Sequence, residues 1–263
     1  MQIISLYNPN HPKITPLDLV TKARALMRDW GVRFLPVVMK NRLEGVISRV
    51  EVLNLTSTKS NIMVRNIMVE PKVVLTPGSN VENSTLSMIE VDEWYAPVVR
   101  SVESKEYLGV YGLDDFLAYY YNVNLKIYNE PVSKIMTTKV ITLNPLEPVH
   151  SIWHKMLKYK YAGFPVVDNN RVIGVVTQHD LIKYGFVRFS RESERSKSVH
   201  EVTARDIMTT PAVTAYENTK ILKVVRLMVE RGVGRVIITD FSGKLKGIVD
   251  REDVTRAILS SMS

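Results

Sequence analysis

A pattern of apolar pair, glycine, two or three apolar residues and then a small or polar residue ahead of an acid occurs four times in this chain. The copies read LEGVISRVEVL (43–53), YLGVYGLDDFL (107–117), VIGVVTQHDLI (172–182) and LKGIVDREDVT (245–255). Their anchoring glycines, Gly45, Gly109, Gly174 and Gly247, are separated by 64, 65 and 73 residues. A near-constant period of this length means repeated supersecondary units rather than one continuous domain. The longer last interval coincides with RFSRESERSKSVHEVTAR (188–205), where Glu192, Glu194 and Glu201 interrupt the bases, as in a solvated linker.

Other landmarks keep the same phase. A β-like run precedes each glycine: FLPVVM (34–39), YAPVVR (95–100), FPVVD (164–168) and RVIITD (235–240). Upstream of these lie helix-period stripes, Val149, Ile152, Trp153, Met156 and Leu157 in the third copy and Ile221, Val224, Val225 and Met228 in the fourth. Three copies open with Ile-Met, in VRNIMVEPKVV (64–74), VSKIMTTKVIT (132–142) and ARDIMTTPAVT (204–214); the first starts short, at HPKIT. Asn169-Asn170 and Ser242-Gly243 suit tight turns. Each unit therefore reads β-α-β-β-α. A unit of about 60 residues buries little core alone. The expected architecture is a mixed α/β (α+β) fold of four such repeats, 1–57, 64–124, 130–187 and 203–263 with a linker at 188–202, arranged as two pseudo-twofold pairs over roughly 1–124 and 125–263.

The opening Ile-Met, the strand Phe164-Pro165-Val166-Val167-Asp168 and the run Gly174-Val175-Val176-Thr177-Gln178-His179-Asp180-Leu181 resemble the CBS domain, the module named after cystathionine β-synthase. The resemblance extends over nearly the whole chain. Four copies without an attached catalytic domain are similar in layout to the γ subunit of AMP-activated protein kinase and to stand-alone prokaryotic CBS proteins. It implies paired modules with two clefts per pair, a regulatory rather than enzymatic role, and an adenosine-type ligand, AMP foremost with ADP or ATP or S-adenosylmethionine as alternatives. A protein partner would read the ligand state. The pairs associate face to face into discs, within one chain or between two as a homodimer; the sequence does not decide.

An adenosine site needs an apolar slot for the base, an acceptor for the ribose diol and donors for phosphate. By position in the family, Met136 and Ile141 flank the adenine in the third repeat, with Tyr161, Ala162, Gly163 and Val175 lining the slot. Asp180 takes the ribose and Thr177 stands at the phosphate, with Gly234 and Arg235 reaching across from the fourth repeat, Arg235 as the phosphate clamp. The fourth repeat offers Asp253 for the ribose but has Asp250 at the phosphate position, where its charge repels. Met208, Val213, Val233 and Ile248 would line that cleft, with His179 reaching in. The expectation is that the Thr177/Asp180 cleft binds more tightly. The N-terminal pair is weaker in these signals, with Ser48 and Glu51 in the first repeat and Gly112 and Asp115 in the second.

Composition removes several alternatives. Cysteine is absent, which excludes a thiol nucleophile, disulfides and cysteine-held metal. The start, MQIISLYNPNHPK, carries no signal-peptide pattern, and no apolar run approaches the ~18 residues of a membrane span; a cytoplasmic protein without membrane partner is expected. The net charge of +8 admits a nucleic-acid-associated regulator as a second class, though no recognition motif accompanies it. His150 and His154 stand at i and i+4 without the glutamate of a zinc-protease motif and read as structural. Tyr119-Tyr120-Tyr121 reads as packing, and GVGRV (232–236) lacks dinucleotide-fingerprint spacing. No metal or catalytic cofactor is expected.

Overall fold

The four glycines that set the repeat mark places where the chain passes too close to itself for a side chain. A Cβ on Gly45 would lie 2.9 Å from the Val69 carbonyl oxygen, and on Gly109 2.5 Å from that of Asn8. On Gly174 it would meet the Met208 sulfur at 2.7 Å, and on Gly247 the Met136 sulfur and the Thr137 oxygen, both at 2.9 Å. Each repeat's last strand is thus overlaid by the opening segment of its neighbour, and only glycine allows that approach.

A computed structural model describes residues 1–55, 61–185 and 201–262. Its principal elements are α1 (Val20–Asp29), β1 (Phe34–Met39), β2 (Arg42–Ser48), α2 (Arg49–Leu53), α3 (Val81–Glu90), β3 (Tyr95–Val99), β4 (Tyr107–Gly112), α4 (Leu113–Tyr120), α5 (Val149–Tyr159), β5 (Gly163–Asp168), β6 (Arg171–Thr177), α6 (Gln178–Lys183), α7 (Ala204–Ile207), β7 (Thr214–Tyr216), α8 (Ile221–Glu230), β8 (Arg235–Thr239), β9 (Leu245–Asp250) and α9 (Arg251–Met262). Residues 188–200 of the expected linker lie outside the described residues.

Each repeat presents an antiparallel hairpin between two helices. The hairpins share one irregularity of register, between Val37 and Val38, Val98 and Val99, Val166 and Val167, and Ile238 and Thr239. Lys40-Asn41 and Asn169-Asn170 turn with both φ angles positive, the geometry of a two-residue hairpin loop. The first strand of the β-α-β-β-α order is a full strand only in the fourth repeat, where β7 runs parallel to β8. Elsewhere it shrinks to single parallel bridges, Ile14 to Val37, Leu75 to Val98 and Leu143 to Val166. The helix stripes are buried at Val149, Ile152, Trp153, Met156, Ile221, Val224, Val225 and Met228, whereas Leu157 is exposed, at the rim of a cavity.

Two kinds of interface assemble the repeats. Bridges on the strand side join the first to the second, Val46 to Val69, Asn8 to Val110 and Arg42 to Glu106, and the third to the fourth, Thr137 to Ile248, Val175 to Thr209 and Arg171 to Lys244. The two sets correspond, as a pseudo-twofold requires. On the helix side one core packs the first repeat against the third, through Ile14, Met27, Ile47, Ile152, Phe164 and Leu181. Another packs the second against the fourth, through Met88, Tyr111, Phe116, Val225, Val249 and Ile258. The two pairs therefore meet face to face within one chain. No helix among the described residues is long and apolar enough to cross a membrane.

Candidate functional site

The acid that closes each repeat motif is first a helix cap. The backbone N–H of Ser48 donates to Glu51 Oε2 at 2.7 Å, and those of Gly112, Thr177 and Asp250 donate to Asp115, Asp180 and Asp253 Oδ2 at 2.8, 2.7 and 2.9 Å. This satisfies a donor left open at the start of α2, α4, α6 and α9. What separates the acids is whether anything remains for a ligand.

Asp180 has both oxygens engaged within the protein. Its Oδ2 accepts from the Thr177 hydroxyl as well as the backbone, at 2.6 Å, and its Oδ1 accepts from the Thr209 hydroxyl at 2.9 Å. It is 4 % exposed. Asp253 is half-buried, spends Oδ2 on the cap and has no partner for Oδ1 among the described residues. Burial, with the Asp250 charge next in effect, pushes its carboxyl up to about 7. Asp115 is pushed to about 7 in the same way, by burial and then Asp114.

Asp253 borders a cavity of about 910 Å³ together with Ile141, Tyr161, Ala162, Gly163, Arg235, Ile248 and Asp250. The sequence-based expectation placed the Ile141/Tyr161/Ala162/Gly163 slot with Thr177 and Asp180, and the structure corrects this. The opening segment of the third repeat crosses onto the fourth, where Thr137 and Ile248 exchange backbone hydrogen bonds, both at 2.9 Å. That crossing carries Ile141 to the Asp253 side. The reciprocal crossing, Val175 with Thr209 at 3.1 and 2.9 Å, carries the fourth repeat's opening to Asp180.

The remaining candidates divide accordingly. Met136 and Met208 are packing residues seated on Gly247 and Gly174. Val175 bridges to Thr209, Val213 and Val233 pack on a core, and Gly234 accepts from the Arg251 N–H at 3.2 Å. None of these lines the cavity. His179 does not reach the Asp253 cleft. Its Nδ1 lies 3.2 Å from Arg49 Nη2 of the first repeat, and because a guanidinium can only donate, Nδ1 accepts. Burial, then the Arg49 charge, lowers the pKa of His179.

Arg235 donates from Nη1 to the Gly163 carbonyl at 2.7 Å. Burial, then Arg33, pushes it down to about 10. Asp250, expected to repel phosphate, accepts the Glu252 and Asp253 N–H groups at 2.9 and 3.1 Å, and its charge supports Arg235 and Arg33. Ser48 and Glu51 line a second lobe of the same cavity; Gly112 and Asp115 do not. In that lobe Glu93 and Trp94 stand where the other has Tyr161 and Ala162, and a Lys72–Glu93 ion pair of 3.0 Å sits beside them.

Sequence reasoning missed Arg33, Arg49, Trp94 and Arg251. An arginine follows the last strand in both the first and fourth repeats, as Ser48-Arg49 and Asp250-Arg251, and this shared phase is the signal that marked them. Both are buried: Arg49 donates to the Gly31 and Val32 carbonyls at 2.6 and 3.1 Å, and Arg251 to the Tyr95 hydroxyl at 3.2 Å. His150 and His154 have ring centroids 6.5 Å apart, and the described residues hold no group of three potential metal ligands. Tyr120 is buried with its hydroxyl donating to Glu82, and Tyr121 accepts from Arg226.

Known proteins bear on this arrangement. The chain is 23% identical over 265 residues to the uncharacterised protein MJ1225 of Methanocaldococcus jannaschii, covering 92% of this chain and 93% of that one. The crystal structure of MJ1225, proposed there as an archaeal homolog of g-AMPK, superposes with a TM-score of 0.86 at 22% identity over 98% of this chain and all of that one. The uncharacterised protein MK0525 of Methanopyrus kandleri is 33% identical over 124 residues, 47% of this chain and 60% of that one. The CBS domain family model matches residues 4–57, 132–186 and 204–260. The second repeat falls outside these matches, yet α3, the β3–β4 hairpin and α4 reproduce the order of the others. The chain belongs to the CBS domain family, with its repeats in tandem.

Proposed function

We propose that the protein is a regulatory sensor that binds an adenosine nucleotide between its third and fourth repeats. One observation carries this reading. A single cavity brings together an apolar slot, a carboxylate with an unused oxygen and a half-buried arginine, the three groups an adenosine phosphate needs. The adenine lies between Ile141 and Ile248 with Tyr161 and Ala162 at its edge. Asp253 Oδ1 accepts from the ribose diol, and Arg235 meets the first phosphate.

Binding across two repeats favours one relative arrangement of the pair, and a protein partner with unequal affinity for the arrangements reads it. The engagement of all four motif acids in helix capping supports a binding rather than a catalytic role. Isothermal titration of ligand-free protein with adenosine, AMP, ADP, ATP and S-adenosylmethionine tests the reading. The expected result is saturable binding, with AMP tighter than adenosine. Tighter binding of S-adenosylmethionine than of AMP assigns the site to the sulfonium ligand instead. No heat with any of them refutes the proposal.

A further inference from the structure

Helix α5 buries Val149, Ile152, Trp153 and Met156 and leaves His150 and His154 exposed on its other side. The two histidines therefore have no packing role, although the sequence suggested a structural one. Residues four apart on a helix are neighbours, and the two ring centroids lie 6.5 Å apart. Two exposed imidazoles one turn apart can aim a ring nitrogen each at one point above the helix, which is the geometry of a metal chelate.

A third group sets the state of this pair. Glu201 Oε1 lies 3.4 Å from His150 Nδ1. A carboxylate there holds the imidazole proton on Nδ1 and leaves the lone pair on Nε2. Backbone contacts fix the placement. The Val149 N–H donates to the Val202 carbonyl at 3.0 Å, the Ala204 N–H to that of Glu147 at 2.8 Å, and Pro148 bridges to Thr203. The segment that opens the fourth repeat is thus laid along the start of α5. The lysines nearest in sequence are drawn to other partners, Lys155 to Glu147 at 2.8 Å and Lys158 over the Tyr159 ring at 5.2 Å.

We propose that His150 and His154 bind a divalent first-row transition-metal ion through their Nε2 atoms, with Glu201 as the positioning residue on His150. Imidazole suits copper, nickel or zinc, whereas magnesium and calcium prefer oxygen. Metal–nitrogen bonds of about 2.0–2.1 Å require the two rings to turn toward each other, and exposed side chains do so freely. Two protein ligands leave the other positions of the ion to water. None of the three residues lines the nucleotide cavity, so the metal site is separate from it. The histidines belong to the third repeat and the orienting carboxylate to the start of the fourth, so the ion fastens the two together.

The test uses untagged, metal-free protein without nucleotide, titrated with copper, nickel, zinc and magnesium chlorides. Wild type is compared with His150→Gln, His154→Gln and Glu201→Gln, and each is also melted with and without nickel. Wild type should bind one ion per chain, copper most tightly and magnesium not at all. Glu201→Gln should weaken copper about tenfold, as loss of an orienting partner does, and each histidine substitution should weaken it more. Saturating nickel should raise the Tm of wild type by several degrees and leave both histidine variants unmoved. Copper affinity that survives either histidine substitution places the ion elsewhere and overturns the proposal. Magnesium bound as tightly as zinc, or no saturable binding of any ion, overturns it too. Unchanged affinity in Glu201→Gln, with both histidines required, removes the orienting role of Glu201.

Discussion

Arg235, in the fourth repeat, donates from Nη1 to the carbonyl oxygen of Gly163, in the third, at 2.7 Å. A Cβ on Gly163 would lie 2.7 Å from that nitrogen, 2.7 Å from the Val176 oxygen and 2.9 Å from Thr177 Cγ2. Two of these three neighbours belong to the paired strand and have little freedom to yield. Gly163→Ala should therefore cost about 1–3 kcal/mol of stability and weaken AMP by displacing Arg235. Gly78→Ala, where nothing lies within 4 Å, is the control and should shift stability by no more than about 0.5 kcal/mol. Denaturant melts and AMP titrations of both variants check this.

Asp253 links stability and binding with opposite signs. Its folded pKa, about 7, stands above its ordinary value of 3.8, so the folded state holds the proton more firmly than the unfolded chain. The folded state is favoured at low pH, and stability is lost as pH rises from near 4 through 7. Asp253→Asn keeps an acceptor for the Asp250 N–H and removes the charge. It should be more stable than wild type at pH 8, with the difference shrinking toward pH 4, and should bind AMP more weakly. Thermal melts across this range, with titration at pH 8, give both readouts.

Asp180 should behave in the reverse way. Both its oxygens are taken by Thr177 and Thr209, so Asp180→Ala removes a cap and leaves the two threonine hydroxyls without this acceptor. A cap of this kind contributes about 0.5–2 kcal/mol. Stability should fall by at least that amount. AMP affinity, measured where the variant is fully folded, should change less than about twofold.

His179 provides a pH dependence from the other side. Burial and Arg49 hold its pKa below 6.5, so the unfolded chain takes up the proton first. The stability tied to neutral His179 is present above 6.5 and is lost as pH falls below it. Its environment holds Arg49, Lys183 and Asp180, of which only the last favours the imidazolium. His179→Gln should lose less stability than wild type between pH 7 and pH 5, with half-buried His11 contributing a background common to both.

Much of the fold was legible because its cause is local and repeated. The glycine at each crossing cannot be replaced without moving the partner's backbone or a half-buried methionine, so Gly45, Gly109, Gly174 and Gly247 kept the period visible. The hairpin turns were legible at Asn169-Asn170, where positive φ suits asparagine. The first strands of three repeats shrank to single bridges, an outcome of pairing that composition does not report. The candidate site was legible in residue type and misassembled in pairing. Thr177/Asp180 and Asp250/Asp253 carry similar patterns, and which acid meets Ile141 is settled by a contact between Thr137 and Ile248 that no local pattern encodes. Arg33 lay hidden for a related reason, since its neighbours Trp94 and Gly234 come from two other repeats.

The central claim is that the nucleotide sits on Asp253 and not on Asp180. A crystal structure of the protein grown with AMP tests it most directly. The account predicts adenine density between Ile141 and Ile248, with the ribose on Asp253 and the phosphate at Arg235. A ribose on Asp180, with the base against Val213 and Val233, would contradict it.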